Sequence, residues 1–467
     1  MSRATALTVF ALAASAAAAG AVEPSVEPFA EVRVRAELFD AARIGTDQEA
    51  RYEMGLVRVR AGGDLSWGGR FALHGLVQSA AMAGVPDDAV FGSGPVYSST
   101  NGGDGSPSQA GLLELSFTWR EPSFELSVGR QAFADGAAPP VGAALPDGVR
   151  ARRLADRLIG NLDFPNVGRR FDGAVFRSGL AGVGRLELFA LRPLAGAFNY
   201  RDAFDRLDVD LAGGSFASPF GGWIPRSEVR LFAQGYRDDR PVARNAVGGE
   251  LAIDTFGASL LAGTADWDVL AWYALQRGEW GARDHRADAW IVEAGWRFAA
   301  VPGSPSFHLG YEQASGGGPG GDHETFFNLL PTNHKFYGAL DYLAFSNVRD
   351  LYLEARWSAG KHVKLSAALH DFSLVDRADA WYGGSGAMSD LEFGYAARRP
   401  AGGVFAASDL ARELDFTAAW ALRPNLEIKL ESGRWAGSAA AEQFAPADAD
   451  GAWLGLEATW RLPSRPR

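Results

Sequence analysis

Hydrophobic and polar residues alternate with a period of two along most of this chain. Between positions 30 and 38, Ala30, Val32, Val34, Ala36 and Leu38 share one parity, and Glu31, Arg33, Arg35 and Glu37 share the other. Successive side chains of a strand point to opposite faces, so the pattern predicts a strand with one apolar and one charged face. The same split sets Leu113, Leu115, Phe117 and Trp119 against Glu114, Ser116 and Thr118, and Val229, Leu231 and Ala233 against Glu228, Arg230 and Gln234. It recurs at 351–357, 363–370, 413–420 and 454–461, and no helical period interrupts it. Strands of about ten residues carry Trp67, Trp119, Trp267, Trp296, Trp357, Trp420 and Trp460 near their ends, where the aromatic girdle of a membrane barrel belongs. A soluble β-sandwich shares the alternation but has no use for such a girdle.

Short turns fall at 63–69, 121–122, 179–182, 263–266, 300–304, 358–362 and 423–425. Longer links fall at 40–50, 81–109, 133–168, 194–212, 238–249, 278–286, 315–348, 373–410 and 435–450. Short turns belong on the periplasmic side of an outer-membrane barrel and long loops outside. Strict alternation with both termini periplasmic predicts an all-β fold, a transmembrane antiparallel β-barrel of eighteen strands. They lie near 28–38, 52–62, 70–80, 110–120, 123–132, 169–178, 183–193, 213–222, 226–237, 251–262, 267–277, 287–299, 305–314, 350–357, 363–372, 411–421, 425–434 and 452–461. The eighth is Gly-rich and poorly patterned, and 388–398 reads as a strand inside a loop, so sixteen strands is the alternative. A barrel this wide leaves a water-filled lumen where eight strands would pack shut.

Composition supports this reading. Gly is 57 of 467 residues and aromatics are 12%, a pairing that favours turns and strands. Mean hydropathy is −0.08, and beyond the first 22 residues no apolar run approaches the roughly 18 to 20 that a spanning helix needs. Residues 1–21 have the parts of a secretory signal peptide: Arg3, a short apolar run and an Ala19-Gly20-Ala21 exit. The expected mature domain is therefore 22–467, exported to the outer membrane of a Gram-negative bacterium and surrounded by lipid and lipopolysaccharide. The net charge of −11 without a Lys-rich stretch argues against nucleic acid, and zero Cys excludes thiolate metal sites and cysteine nucleophiles. The 41 Arg against 4 Lys fit either a GC-rich genome or a demand for guanidinium forks.

Three blocks resemble the alginate export family of outer-membrane barrels. The first runs Gly129-Arg130-Gln131, Arg157-Leu158-Ile159-Gly160, Asp163-Phe164-Pro165-Asn166 and Arg170-Phe171-Asp172-Gly173. The second joins Tyr311–Ser315 and Thr325-Phe326 to Pro331-Thr332-Asn333-His334-Lys335-Phe336-Tyr337-Gly338, with Asn347 beyond. The third is Glu413-Leu414-Asp415. The likeness spans roughly 27–461, although Gly316-Gly317-Gly318-Pro319 intervenes where the family tends to carry an acidic residue, and the segment between Gln131 and Arg157 is longer and richer in Ala and Pro. It implies an eighteen-stranded channel that passively conducts an anionic polyuronate or related anionic solute through an Arg-lined passage, with periplasmic export proteins as possible partners.

The pore-lining, anion-binding candidates are Arg33, Arg35, Arg58, Arg60, Arg170, Arg230, Arg356 and Lys364 on strands, and Arg130 at a strand end. Arg152, Arg153 and Arg157 join them from the 133–168 loop, which is the one expected to fold inward. The plain alternative for each is a ladder partner for a neighbouring carboxylate, as Arg33 and Arg35 lie between Glu31 and Glu37. A general or anion-selective porin for small solutes is the alternative function. A barrel hydrolase built on His370 and Ser366 is a further one, but no nucleophile elbow or zinc helix accompanies it. Neither enzyme activity, cofactor nor essential metal is expected, and the acidic loops 100–104 and 447–451 read as solvated surface.

Overall fold

A computed structural model describes residues 24–138, 144–219, 224 and 227–462. The expected signal peptide at 1–21 lies outside the described residues. Eighteen antiparallel strands form one sheet, and the first, Ser25–Asp40, pairs both with Arg51–Trp67 and with the last, Gly451–Arg461. That double pairing closes the barrel and leaves no open edge to satisfy within a bilayer. Among the described residues no helix is long and apolar enough to cross a membrane.

All eighteen expected strands are present. The poorly patterned eighth lies at Val209–Pro219, earlier than its composition suggested, because Gly213 and Gly214 sit flat against the backbones of its two neighbours. The expected long link at 278–286 is instead a two-residue turn: Trp267–Trp280 runs into Arg283–Arg297 with Trp280 opposite Arg283. Gly281 there has φ +63, and a Cβ would lie 2.1 Å from the Val247 carbonyl, so a residue that reads as loop filler is what makes the tight turn possible. The strand-like stretch in 388–398 contributes Tyr395–Arg398 to a separate two-stranded sheet with Trp381–Gly384, inside a long loop.

The faces divide as the alternation requires. Val34 and Leu38 are 52% and 48% exposed, whereas Arg33 and Arg35 on either side of Val34 are 6% and 2% exposed. Leu231, Leu309, Leu351, Leu414 and Leu456 continue the outward apolar belt, which is the lipid-facing side. Bulges make exceptions: where Leu76 opposite Glu114 is followed by Val77 opposite Leu112, Leu113 is left out of register and buried, and where Phe372 opposite Ala411 is followed by Ser373 opposite Asp409, so is Leu410. The seven tryptophans named above all lie close to the short-turn ends of their strands, so they form a single girdle on one rim.

The lumen differs from the water-filled expectation. The long loops, described over 132–138 and 144–170, 315–347 and 375–408, fold inward and pack Leu158, Ile159, Val167, Phe326, Leu330, Phe345, Trp381 and Phe405 into one buried apolar cluster. These side chains are scattered among Gly, Pro and Asp, so their shared destination leaves no periodic trace. Ile159 and Leu330 belong to no strand but bridge each other in parallel, and Arg169 donates to the carbonyls of Leu330 and Ser385, tying all three loops together.

Candidate functional site

The wall and the inward 132–170 loop meet through charge. Arg150 reaches Glu228 at 3.0 Å, Arg152 reaches Glu354 at 3.2 Å, Arg153 reaches Glu293 at 2.9 Å and Arg157 reaches Glu312 at 3.0 Å. Glu228, Glu293, Glu312 and Glu354 alternate with lipid-facing neighbours on four strands, so the period-two pattern itself delivers a column of carboxylates to the loop. The loop therefore folds inward, as expected for this basic segment, and Arg153 and Arg157 are each engaged by a wall carboxylate.

Wall arginines clamp the loop in the opposite sense. Arg33 donates to the carbonyls of Asp163 and Pro165 at 3.1 and 3.0 Å, and Arg35 donates to that of Phe164 at 2.6 Å with its guanidinium 4.3 Å over the Phe164 ring. Arg60 grips the Asp163 carboxylate with both Nη atoms at 2.8 and 3.0 Å, Arg170 holds Glu114 at 2.6 Å and Asp163 at 3.4 Å, and Arg58 pairs with Glu31 at 2.7 Å. Desolvation works against ionising Asp163, yet Arg60, Arg170 and Arg58 hold it well below the usual carboxylate range. Arg230 pairs with Asp135 at the root of the same loop.

Arg130 is a correction. It shares parity with Val128, which is 46% exposed, and pairs with Asp172 at 2.9 Å on the outward side near the long-loop rim. Its strand-end position hid this, because parity and not proximity to a loop decides which face a residue takes.

Between the plug and the short-turn mouth lies a cavity of about 450 Å³. Of the candidates, Arg33, Arg152, Arg153 and Arg356 line it; Lys335 and Lys429 add two cations, and Glu354, Asp415, Glu431 and Glu457 supply the acids. Six cations against four carboxylates face the cavity, together with His334 and His370; the positive excess belongs to the lining surface, because Arg153 and Lys335 have their partners Glu293 and Asp156 behind it. Arg356 is the most open of the arginines, its side chain 41% exposed while it pairs with Glu354 at 2.7 Å. Arg152 keeps one guanidinium nitrogen, Nη2, without a hydrogen-bond partner. Burial pushes Lys335 downward against the pull of Asp156, which it meets at 3.0 Å. Lys364 is exposed on the inward parity of its strand, farther toward the mouth.

Sequence reasoning missed His334, Lys335 and Lys429 as cavity residues. The first two sit inside the Pro331–Gly338 block, where they read as family signature rather than as site. Lys429 was visible as one of only four lysines, at inward parity with Glu427 and Glu431. His370 does not meet the hydrolase expectation: its Nδ1 lies 2.7 Å from Asp350 and its Nε2 3.9 Å from Asp415, and no serine hydroxyl bonds to it among the described residues.

The fold is shared with several solved outer-membrane proteins at low identity. OpdK from Pseudomonas aeruginosa, described as an outer membrane protein, superposes with a TM-score of 0.54 at 11% identity, covering 93% of this chain and 98% of its own. OccK9 (OpdG) from the same organism gives 0.59 at 14% identity over 94% and 98%, and OccAB4 from Acinetobacter baumannii 0.53 at 9% over 93% and 98%. No curated protein matches the sequence. The alginate export family model, by contrast, matches residues 29–453. A closed eighteen-stranded barrel with an apolar belt and that family match make this chain an outer-membrane channel protein of Gram-negative type, and it belongs to the alginate export family.

Proposed function

We propose that the channel passively conducts an anionic polyuronate or a related anionic solute, with its short turns and both termini in the periplasm. The observation that carries this reading is the cation excess of the cavity beside the plug, where Arg33, Arg152, Lys335, Arg356 and Lys429 converge. Each of these cations already has a carboxylate partner, so the field attracts anions without holding them as a bare cluster would; conduction needs entry and release together. A polyuronate carries one carboxylate per sugar and can exchange ion pairs along such a wall in steps. Periplasmic export proteins are the partners that would feed it.

A second reading, an anion-selective porin for small solutes, is favoured by the inward loops. They leave a cavity of a size for one or two sugar units rather than an open bore. Planar-bilayer recording separates the two. Polyuronate transport predicts anion selectivity and current blockades that lengthen with polymer length, whereas the porin reading predicts blockade by monomeric uronate alone. A channel selective for cations and indifferent to both would refute anion conduction.

A further inference from the structure

Three neighbouring strands, Trp267–Trp280, Arg283–Arg297 and Ser306–Ala314, bring Asp268, Glu293 and His308 together on the inward face. Each offers one ligand atom, and the three atoms lie within 4.8 Å of one another. The residues are 1%, 4% and 0% exposed and do not line the cavity described above, and the short helix Ala144–Val149 of the inward loop packs on the first of the three strands.

Their partners are incomplete. Asp268 Oδ2 lies 3.2 Å from His308 Nε2, and Glu293 Oε2 accepts from Arg153 Nε at 2.9 Å and from the Tyr352 hydroxyl at 2.6 Å. Asp268 Oδ1, Glu293 Oε1 and His308 Nδ1 have no hydrogen-bond partner. Buried acceptors left unmet are costly, and the two unmet carboxylate oxygens point to a missing group between Asp268 and Glu293, which the imidazole would meet through Nε2, the nitrogen that faces Asp268. Charge narrows its nature. Arg153 balances Glu293, since Glu354 also holds Arg152 and Arg356, but Asp268 faces only the imidazole of His308, so the cluster lacks a cation of its own. A water molecule would satisfy geometry but bring no charge.

Gly295 makes the space. It stands in register with both Asp268 and His308, and a Cβ there would fall 2.5 Å from Asp268 Oδ2 and 2.4 Å from His308 Cδ2. We propose that Asp268, Glu293 and His308 bind one divalent transition-metal ion of the zinc class. Two carboxylates and one imidazole, leaving a coordination position open, suit zinc, whereas calcium and magnesium prefer all-oxygen shells. Because Glu293 also holds Arg153, the ion fastens the wall to the base of the inward loop. The ligands lie 25 and 15 residues apart on separate strands, so no sequence motif announces them.

Folded chain in detergent, stripped with a chelator and dialysed against zinc, tests this directly. Metal analysis is expected to find one equivalent in the wild type and at least tenfold weaker retention in Asp268→Asn and His308→Gln. Cobalt as a zinc surrogate should give visible absorption in the wild type alone. Gly295→Ala, which alters no ligand, should weaken binding by closing the space, and migration of unboiled samples on a gel reports barrel folding for every variant. Zinc retention equal in wild type and variants overturns the proposal, as does no zinc or cobalt bound by the wild type, or displacement of zinc by equimolar calcium.

Discussion

Arg157 Nη1 lies 3.0 Å from Glu312 Oε2, with side chains 1% and 0% exposed, and the same nitrogen is 2.9 Å from the Tyr337 hydroxyl. The pair joins two long loops to the wall at one point. Its guanidinium also lies 4.2 Å over the Phe336 ring, so the contact is both ionic and stacked. Removing one member of a buried pair strands the other, at a cost of about 3–5 kcal/mol. Arg157→Met is therefore expected to loosen the plug, raising single-channel conductance and exposing residues 150–165 to protease. Arg157→Met combined with Glu312→Leu is expected to recover much of the lost docking, because no charge is left alone.

Selectivity follows from the cavity. Arg356→Glu and Lys429→Glu each replace a lining cation with an anion, and each is expected to move the zero-current potential under a salt gradient toward cation preference. Arg130→Glu sits on the outward face and should leave that potential unchanged. A shift from Arg130→Glu as large as that from Arg356→Glu would show that the cavity does not set selectivity.

Acid should release the 315–347 loop. His323 is stacked at 4.0 Å on Trp280 and bonded at 2.9 Å to His285, and burial, with the nearby His285 and Arg283 adding to it, pushes it down to about 3. The undocked loop would carry a histidine near its ordinary 6.5. Below that value the undocked state binds the proton that the docked state refuses, so docking is complete above about pH 6.5 and weakens steadily as the pH falls toward 3. Hydrogen exchange of residues 316–325 is expected to speed up across that window, and His323→Phe should flatten the dependence.

Gly338 has φ +83, and a Cβ there would lie 2.4 Å from the Glu413 carboxylate, whose Oε1 accepts from the Leu340 amide at 3.1 Å. Gly338→Ala meets both a strained backbone and a clash. A local destabilisation of about 1–3 kcal/mol is expected, visible as a lower melting transition for the plug with the barrel's own transition kept.

The barrel was legible in the sequence because its physics is periodic. A strand buried in lipid on one side and facing charge on the other must alternate, and Val34 beside Arg35 announces both faces at once. The plug was not legible, since Leu158, Phe326 and Trp381 find one another only after three loops have turned inward. The clamps fell between these cases. Arg152, Arg153 and Arg157 stood out as a basic cluster, but their partners Glu354, Glu293 and Glu312 are 140 to 202 residues away, and nothing local distinguishes a clamp from a solute ligand. Arg130 shows how a strand-end residue is misread when the parity of Val128 is not carried one step further.

The inward-facing charges separate two oily regions, the bilayer outside and the loop cluster within. A protein core cut open exposes grease to water, but a wall lined with Arg and Glu exposes groups that water solvates well. Pulling the plug away would thus wet a charged band already fit for it, and the hydrogen-bonded wall would persist as a wider tube. Barrel and stopper are still not two separate objects, because the loop cluster takes in inward-facing Tyr52, Ile253, Trp272, Phe372 and Trp435 of the wall, which a withdrawn plug would leave bare.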